Sequence, residues 1–367
     1  MMKDNKEKKL KIFLATGGSG GHIFPAISVA EKLTEDKNNI CIVADSVYEK
    51  YSSNNLNYRI INTSKTLRSV KDIFKILSGF FQTKKLIKTE KPDLIVSFGS
   101  YATLPTLMAC YWTKTPFIIH EQNAHVGKVN RLFGRYAKKI MTSYYEIYGV
   151  NYNDMKKVVY TGMPVRKNIK DLYKVNYVYP TNDEKFIVLI TGGSAGAKIF
   201  SEFLPKIFDE EHKKLQKNIK VYHQVREEYL DIVKDYYRKI NLDAVVSPFF
   251  NNMDELLTKA HLVIGRSGSG TLFETAMAGR PSIVIPLMNS ANNHQEINAK
   301  VFEKNNASIV VLEKNFNIKD FQKIFFELIK DKEKLEKMSN NAKKIAIPNA
   351  DENILKIIKE SIDDGRK

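Results

Sequence analysis

The chain uses one design twice. KIFLATGGSGG (11–21) and FIVLITGGSAGA (186–197) each run a short apolar stretch into a glycine pair, and the second pair follows the first by 175 residues. An apolar run of that length closed by glycines reads as a buried strand that feeds a helix through a tight turn. Two copies predict an α/β chain of two Rossmann-like domains in tandem, each built on a parallel sheet. With 367 residues the chain has enough length for two such cores.

Other runs fill out the two sheets. Ile40–Ala44, Asp93–Phe98 and Pro116–Ile119 read as strands of the first domain, and Val158–Thr161 leads into the Gly162–Arg166 block. Lys220–His223, Ala244–Ser247, Leu262–Ile264 and Ser282–Ile285 read as strands of the second. Ile23, Pro25 and Ala26 open a helix through Leu33, with Pro25 expected near its first turn. The polar, irregular stretch after Gly162-Met163-Pro164-Val165-Arg166 is the linker, giving domains at 1–165 and 166–348. Past Pro348, Asn349 caps a last amphipathic helix, Glu352–Ile362, within a 349–367 tail that can cross back to the first domain.

Parallel sheets bind ligands at the carboxyl ends of their strands. Those ends deliver His22, Tyr101, His120, Glu121 and Asn123 to one edge of the first domain. The first βαβ unit also ends its second strand at Asp45, as a dinucleotide site would, so NAD(P) has to be weighed. GGSGGH is not a GxGxxG, and His22 stands where a pyrophosphate would meet the helix. In the second domain LVIGRSGSGTLFE (262–274) is a strand, a glycine-rich turn and a helix start. Such a turn points backbone N–H groups and a positive helix end at an anion. Glu274, one turn inside that helix, suits a ribose diol; His294 and Gln295 offer polar side chains twenty residues on.

Charge adds a second theme. Residues 1–165 carry 25 Lys+Arg against 13 Asp+Glu, whereas 166–367 carry 33 against 28, so most of the net +17 lies in the first half. That suits an anionic partner. From Lys65 to Lys91 eight basic residues surround an apolar stripe of Val70, Ile73, Phe74, Leu77 and Phe81, widened by Ile76 and Phe80. Two readings stand: a helix with its apolar side in the core, or one docked on an anionic lipid surface with Ile73, Phe74, Leu77, Phe80, Phe81, Lys84 and Lys85 in contact. The uncharged run Leu94–Thr113 contains Ser, Thr, Gly and Pro and reads as strand, loop and helix rather than a membrane span. Cys41 and Cys110 sit in apolar contexts with no metal spacing and read as buried thiols. No aromatic–basic interleaving points to nucleic acid.

Taken together, GGSGGHIFPA (17–26), SYATLP (100–105), HEQNAHVGKVNR (120–131), GMPVR (162–166), GGSAGA (192–197), GRSGSGTLFE (265–274) and NHQEINA (293–299) resemble the MurG family of peptidoglycan glycosyltransferases. The likeness runs nearly end to end. It implies a GT-B fold, two Rossmann-like domains facing each other across a cleft, acceptor side first and donor side second. It implies UDP-GlcNAc as donor and lipid I, the undecaprenyl-linked muramoyl-pentapeptide, as acceptor. Carried over by position, Arg166, Ser194, Phe250, Ser269, Gly270, Thr271, Glu274, His294 and Gln295 would hold the donor, with Ser19, Gly20 and Asn123 on the first-domain side. Gly18, Gly21, Gly99 and Tyr101 would receive the acceptor. The basic amphipathic segment falls where the family has its membrane patch. The resemblance implies a peripheral protein of the cytoplasmic face of the bacterial membrane, working alongside cell-wall synthesis or division proteins.

An α-linked donor and a β-linked product imply one inverting displacement, in which a base takes the acceptor C4 hydroxyl proton. His22 is the first choice, with Glu121 and His120 as rivals. No DxD triplet occurs, so no metal or other cofactor is expected; helix N-termini and Arg166 can carry the charge of the leaving diphosphate. Three other readings stay open: a UDP-GlcNAc 2-epimerase, a glycolipid synthase, or a non-catalytic nucleotide-sugar-binding scaffold.

Overall fold

In the computed structural model, which describes residues 9–52, 55–64, 66–193, 196–208, 219–290 and 293–363, the short apolar runs become strands of two wholly parallel sheets. The chain up to Arg166 and the segment from Asn349 onward form one unit; Lys167–Pro348 forms the other.

The first unit contains β1 (Lys11–Ala15), β2 (Asn39–Ala44), β3 (Tyr58–Ile60), β4 (Leu94–Ser97), β5 (Phe117–Glu121), β6 (Ile140–Thr142) and β7 (Val158–Tyr160). Their order is β3-β2-β1-β4-β5-β6-β7, all parallel. Alternation along β1 builds two layers of core. Ile12 and Leu14 pack with Ile23, Ala26 and Ala30 of α1 (Gly20–Glu35). Phe13 and Ala15 pack on the other face, with Ile76 and Ile87 of α2 (Val70–Glu90) and Leu107 and Cys110 of α3 (Leu104–Thr113). The last helix, Ala350–Asp363, adds Ile354 and Ile358 to the α1 layer. Asn353 Nδ2 donates to the Thr161 carbonyl at 3.1 Å and Lys138 Nζ to that of Ser361 at 2.6 Å.

The second unit contains β8 (Phe186–Thr191), β9 (Ile219–Gln224), β10 (Asp243–Ser247), β11 (Leu262–Gly265), β12 (Ser282–Val284) and β13 (Ser308–Val310). Their order is β10-β9-β8-β11-β12-β13, again parallel. Phe186, Val188 and Ile190 share one core with Val221, Ile264 and Phe325. In each sheet the order reverses beside the strand that opens the unit, between β1 and β4 and between β8 and β11. Both glycine pairs sit at these reversals, where the crevice of an open α/β sheet lies.

Two features differ from the sequence expectation, and a third, α2, departs only from its core-facing alternative; each has a physical cause. β3, β6 and β13 are three residues each, too short for periodicity to reveal. α1 begins at Gly20 rather than Ile23, because the His22 and Ile23 amides already bond the Ser19 carbonyl at 3.1 Å each, so Pro25 lies inside the helix. In α2 the apolar stripe faces outward. Its core side is Ile76, Gly79, Thr83 and Ile87, while Phe74 is 68% and Phe81 62% exposed, and Val70, Ile73 and Leu77 are exposed with them. Gly79 permits this, since a Cβ there would run into the Asn62 carbonyl and lie 3.1 Å from Pro105 Cβ. Half-buried Phe80 meets Trp112, itself 65% exposed, and Lys84 Nζ sits 4.8 Å over the Trp112 ring.

The run from Leu94 to Thr113 is strand, 3-10 turn and helix, and no helix among the described residues is long and apolar enough to cross a membrane. Both cysteines are buried and free; burial pushes the Cys41 thiol up to about 11 and that of Cys110 higher still.

Candidate active site

β5 ends in His120-Glu121 and is followed by Gln122-Asn123, so strand alternation turns His120 and Gln122 one way and Glu121 and Asn123 the other. The first pair reaches His22 in the first turn of α1. His22 Nδ1 lies 2.8 Å from the Phe98 carbonyl and 2.9 Å from Gln122 Oε1. A carbonyl only accepts, so Nδ1 carries the proton and Nε2 of the neutral ring is left with a lone pair. Gln122 then turns its Nε2 to the His120 carbonyl at 3.2 Å and to His120 Nδ1 at 3.1 Å. His120 in turn donates from Nε2 to the Gly162 carbonyl at 3.2 Å. His120 is fully buried, and burial holds its ring near pKa 4, so it stays neutral. Both of its nitrogens are committed. Through Gln122 it is linked to His22.

Glu121, the other rival, is 2% exposed and saturated. Its Oε1 accepts from the Asn123 amide at 3.1 Å and Asn123 Nδ2 at 3.3 Å; Oε2 accepts from the Gly127 amide at 2.9 Å and Asn130 Nδ2 at 2.8 Å. Its chemistry is to order the 121–130 loop. Gly99 sits against this arrangement in a left-handed conformation (φ 76°), where a Cβ would fall 2.9 Å from Asn130 Nδ2. Tyr101 opens the 3-10 turn that follows, and its carbonyl accepts from Thr63 Oγ1 at 3.3 Å.

In the first glycine loop, the Gly18 amide donates to Asp45 Oδ2 at 3.0 Å. Asp45 therefore braces the loop, and the first-turn amides of α1 begin at Gly20 and Gly21, behind exposed Ser19. Gly18 also lies so close to the β4 loop that a Cβ would come within 2.5 Å of Ser100 Oγ. The GMPVR block is pinned to the same unit. Gly162 is held by His120, the Val165 carbonyl accepts from Ser28 Oγ at 2.8 Å, and the Arg166 guanidinium lies 4.6 Å over the Phe24 ring. Arg166, expected as the first residue of the donor domain, closes the first unit instead.

In the second unit, Thr191 Oγ1 donates to Gln224 Oε1 at 2.7 Å, and Gln224 Nε2 donates to the Gly193 and Pro248 carbonyls at 3.1 and 3.2 Å. Gln224 thereby fixes three neighbouring strand ends. Gly193 (φ 72°) would bring a Cβ 3.7 Å from Thr271 Oγ1, which places Thr271 beside the second glycine loop. Ser194 lies outside the described residues. Phe250 follows β10 half-buried, its ring 6.3 Å from Tyr222.

The helix Ser269–Met277 begins right after the β11 turn, with Gly268 as its cap. Ser269 is buried, and its hydroxyl accepts from Asn298 Nδ2 at 3.0 Å. Gly270 and Gly268 have open space around them: a Cβ at either would meet nothing within 4 Å. Internal packing does not require these glycines, which leaves room for a ligand at the helix end. Thr271 and Glu274 are half-buried on the same helix. His294 is the first residue of the helix His294–Lys304. Gln295 accepts from the Leu287 amide at 3.0 Å through Oε1, and its carbonyl accepts from Ser267 Oγ at 2.8 Å. Helix N-termini thus gather at the carboxyl edge of the sheet, a setting for phosphate.

Sequence reasoning passed over Gln122, Asp45 as a brace, Gln224 and the ion pair between Arg266 after β11 and Glu313 after β13. Gln122 was legible in principle, because its spacing of two from His120 puts them on one side of an extended chain. Gln224 and Glu313 had no such signal.

Comparison with known proteins places this geometry. Residues 12–142 match the glycosyltransferase family 28 N-terminal domain and residues 187–354 its C-terminal domain. The UDP-N-acetylglucosamine--N-acetylmuramyl-(pentapeptide) pyrophosphoryl-undecaprenol N-acetylglucosamine transferase of Caulobacter vibrioides is 32% identical over 355 residues, 95% of this chain and 98% of that one. The enzyme of the same name from Rickettsia canadensis is 35% identical over 336 residues, 90% and 94% of the two chains. The crystal structure of Acinetobacter baumannii MurG superposes with a TM-score of 0.76 at 27% identity, covering 95% of this chain and 99% of that one. A Neisseria meningitidis UDP-GlcNAc 2-epimerase shares the fold at 17% identity, with a TM-score of 0.64 over 96% of this chain and 100% of that one. The two parallel-sheet units are those of a GT-B-like glycosyltransferase, and the chain belongs to glycosyltransferase family 28, in its MurG group.

Proposed function

We propose that this chain transfers N-acetylglucosamine from UDP-GlcNAc to the C4 hydroxyl of the muramoyl sugar in undecaprenyl-pyrophosphoryl-MurNAc-pentapeptide, giving the disaccharide lipid used for peptidoglycan. Full-length relatives of that name support the reaction. The observation that carries its chemistry is the His22 ring, whose protonated Nδ1 leaves Nε2 as an acceptor.

His22 Nε2 takes the C4 hydroxyl proton as the oxygen attacks the anomeric carbon, and the bond to the UDP oxygen breaks on the opposite face. One displacement inverts the α-linked donor to a β-linked product. Glu121 and His120 order the surroundings. Negative charge developing on the UDP diphosphate is met by the amides of the β8 loop, the N-terminus of Ser269–Met277 and Arg166, so the reaction proceeds without a metal. Glu274 binds the ribose diol, the Phe250 backbone the uracil, and His294 and Gln295 the sugar hydroxyls; the Gly21 amide, with the Gly99–Tyr101 loop, meets the acceptor diphosphate.

The outward apolar stripe of α2, ringed by lysines and joined by Trp112, suits peripheral docking on an anionic membrane surface. We take that surface to be the cytoplasmic face, where a soluble nucleotide-sugar donor meets a lipid-linked acceptor.

The test is UDP release from UDP-GlcNAc, with and without a short-chain lipid-linked MurNAc-pentapeptide. The expected result is release only with acceptor, a disaccharide product, no loss in EDTA, and a fall of roughly 10²- to 10⁴-fold in kcat for His22→Gln. Acceptor-independent release or epimerisation would overturn the transferase, and tight binding without turnover would point to a scaffold.

A further inference from the structure

We infer that Gln122 is a positioning residue for the reaction: it shares the His22 Nδ1 proton with the Phe98 carbonyl and so aims Nε2 at the acceptor hydroxyl. The inference rests on His22 being the base.

Free imidazole places its proton on either nitrogen, and only the Nδ1–H form leaves Nε2 able to accept. Two acceptors converge on Nδ1, Phe98 O at 2.8 Å and Gln122 Oε1 at 2.9 Å. The Phe98 carbonyl belongs to the backbone just past β4, so its position is set by the sheet. Gln122 is a side chain that could turn its amide over and present a donor instead. Its neighbour prevents this. Gln122 Nε2 has two acceptors, the His120 carbonyl at 3.2 Å and His120 Nδ1 at 3.1 Å. His120 Nδ1 is an acceptor because its Nε2 is spent on the Gly162 carbonyl at 3.2 Å. Burial keeps His120 uncharged, so the direction of the chain is the same with the base loaded or empty. The order runs from the Gly162 carbonyl through His120 and Gln122 to His22.

When His22 takes the acceptor proton, the imidazolium faces two carbonyl oxygens. Both carbonyl oxygens stabilise the charged ring, the Phe98 one from the backbone and the Gln122 one from a side chain. The titratable groups on the surrounding elements are His120 and Glu121 at β5, Asp45 past β2 and Tyr101 past β4. Glu121 and Asp45 are engaged by Gly127, Asn123 and Asn130 and by Gly18. His120 is joined to His22 through the Gln122 amide.

The test uses the full-length protein, with Gln122→Met and Gln122→Glu. Both should lower kcat about 10- to 100-fold with little change in either KM. The decisive readout is the acidic limb of the kcat profile. Loss of an acceptor in Gln122→Met moves it to lower pH; a carboxylate in Gln122→Glu moves it to higher pH. A structural role moves neither in opposite senses. In parallel, ¹⁵N-histidine NMR of the wild type, with His22 assigned by its loss in His22→Gln, should show the neutral ring protonated at Nδ1. This readout and Gln122→Met still decide the matter if Gln122→Glu does not fold. Protonation at Nε2, or limbs that do not separate in an otherwise His22-dependent enzyme, overturns the role of Gln122 and leaves His22 as base. Full activity in His22→Gln overturns the base itself.

Discussion

Arg266 Nη1 donates to Glu313 Oε2 at 2.7 Å, in a pair whose side chains are only 9% and 20% exposed. The same guanidinium donates to the Ile285 carbonyl at 3.0 Å, and the same carboxylate oxygen accepts from the Met288 amide at 3.0 Å. The pair therefore joins the loops after β11, β12 and β13, beside the Leu287–Gln295 contact. Breaking it from one end strands a buried charge, which costs about 3–5 kcal/mol. Arg266→Met should lower thermal stability on that scale and raise the KM for UDP-GlcNAc. Burial pushes the Glu313 carboxyl up, but the hydrogen bonds from Arg266 and Met288 outweigh it and hold it below its ordinary value. Its stabilisation is complete above the unfolded value of about 4.5 and fades as pH falls further. The gap between wild type and Arg266→Met in thermal melts should narrow there; a constant gap would mean the pair is not the cause.

Glu121→Gln separates ordering from catalysis. The carboxylate accepts four N–H groups, and an amide would set its own donors against two of them. A loss of about 1–3 kcal/mol in chemical denaturation is expected, with activity reduced through loop disorder and the acidic limb of the rate profile unmoved. Disappearance of that limb would restore Glu121 as the base.

Acid should weaken the two units separately. Burial holds His120 at about 4 in the first and His223 at about 3 in the second. An unfolded histidine titrates near about 6.5, so below that pH the unfolded chain binds protons that the folded one refuses. Stability is full above this value and falls as pH drops toward the folded values. Among the described residues His223 has one hydrogen bond, Nδ1 to Tyr237 Oη at 2.9 Å, and none at Nε2. His223→Gln should lessen the pH slope of unfolding by about one proton. An unchanged slope would show that His223 does not titrate on unfolding.

The α2 stripe makes the membrane reading measurable. Phe74→Ser and Phe81→Ser should reduce co-sedimentation with anionic vesicles while changing folding stability by no more than about 0.5 kcal/mol, since both rings are already exposed. Binding should weaken with added salt and with Lys84→Ala and Lys85→Ala. Undiminished binding would remove α2 from the docking surface.

Gly79→Ala tests how that stripe comes to face outward. A methyl group there collides with the Asn62 carbonyl and crowds Pro105, so α2 must lift from its seat. A loss of about 1–3 kcal/mol is expected, against the gain in helix propensity that Gly→Ala brings elsewhere. A stabilised variant would show that the contact is not tight.

Much of this protein was legible along the chain. Two apolar runs ending in glycine pairs specify two parallel-sheet units, because an alternating strand buried on both faces leaves a continuous apolar signature. The chemistry-bearing strand ends, His22, Tyr101, His120 and Glu121 among them, follow from the same pattern. Which of three titratable neighbours could accept a proton was not legible. His120 and Glu121 lose that capacity to Gly162, Gln122, Gly127 and Asn130, partners as many as 42 residues away, which only the folded backbone brings within hydrogen-bond reach. The direction of the α2 stripe was likewise hidden, since periodicity locates an apolar face but not what lies beneath it. Close packing at Gly79 decides that, for it lets the narrow small-residue side sit inward and leaves the larger apolar side in contact with the surroundings.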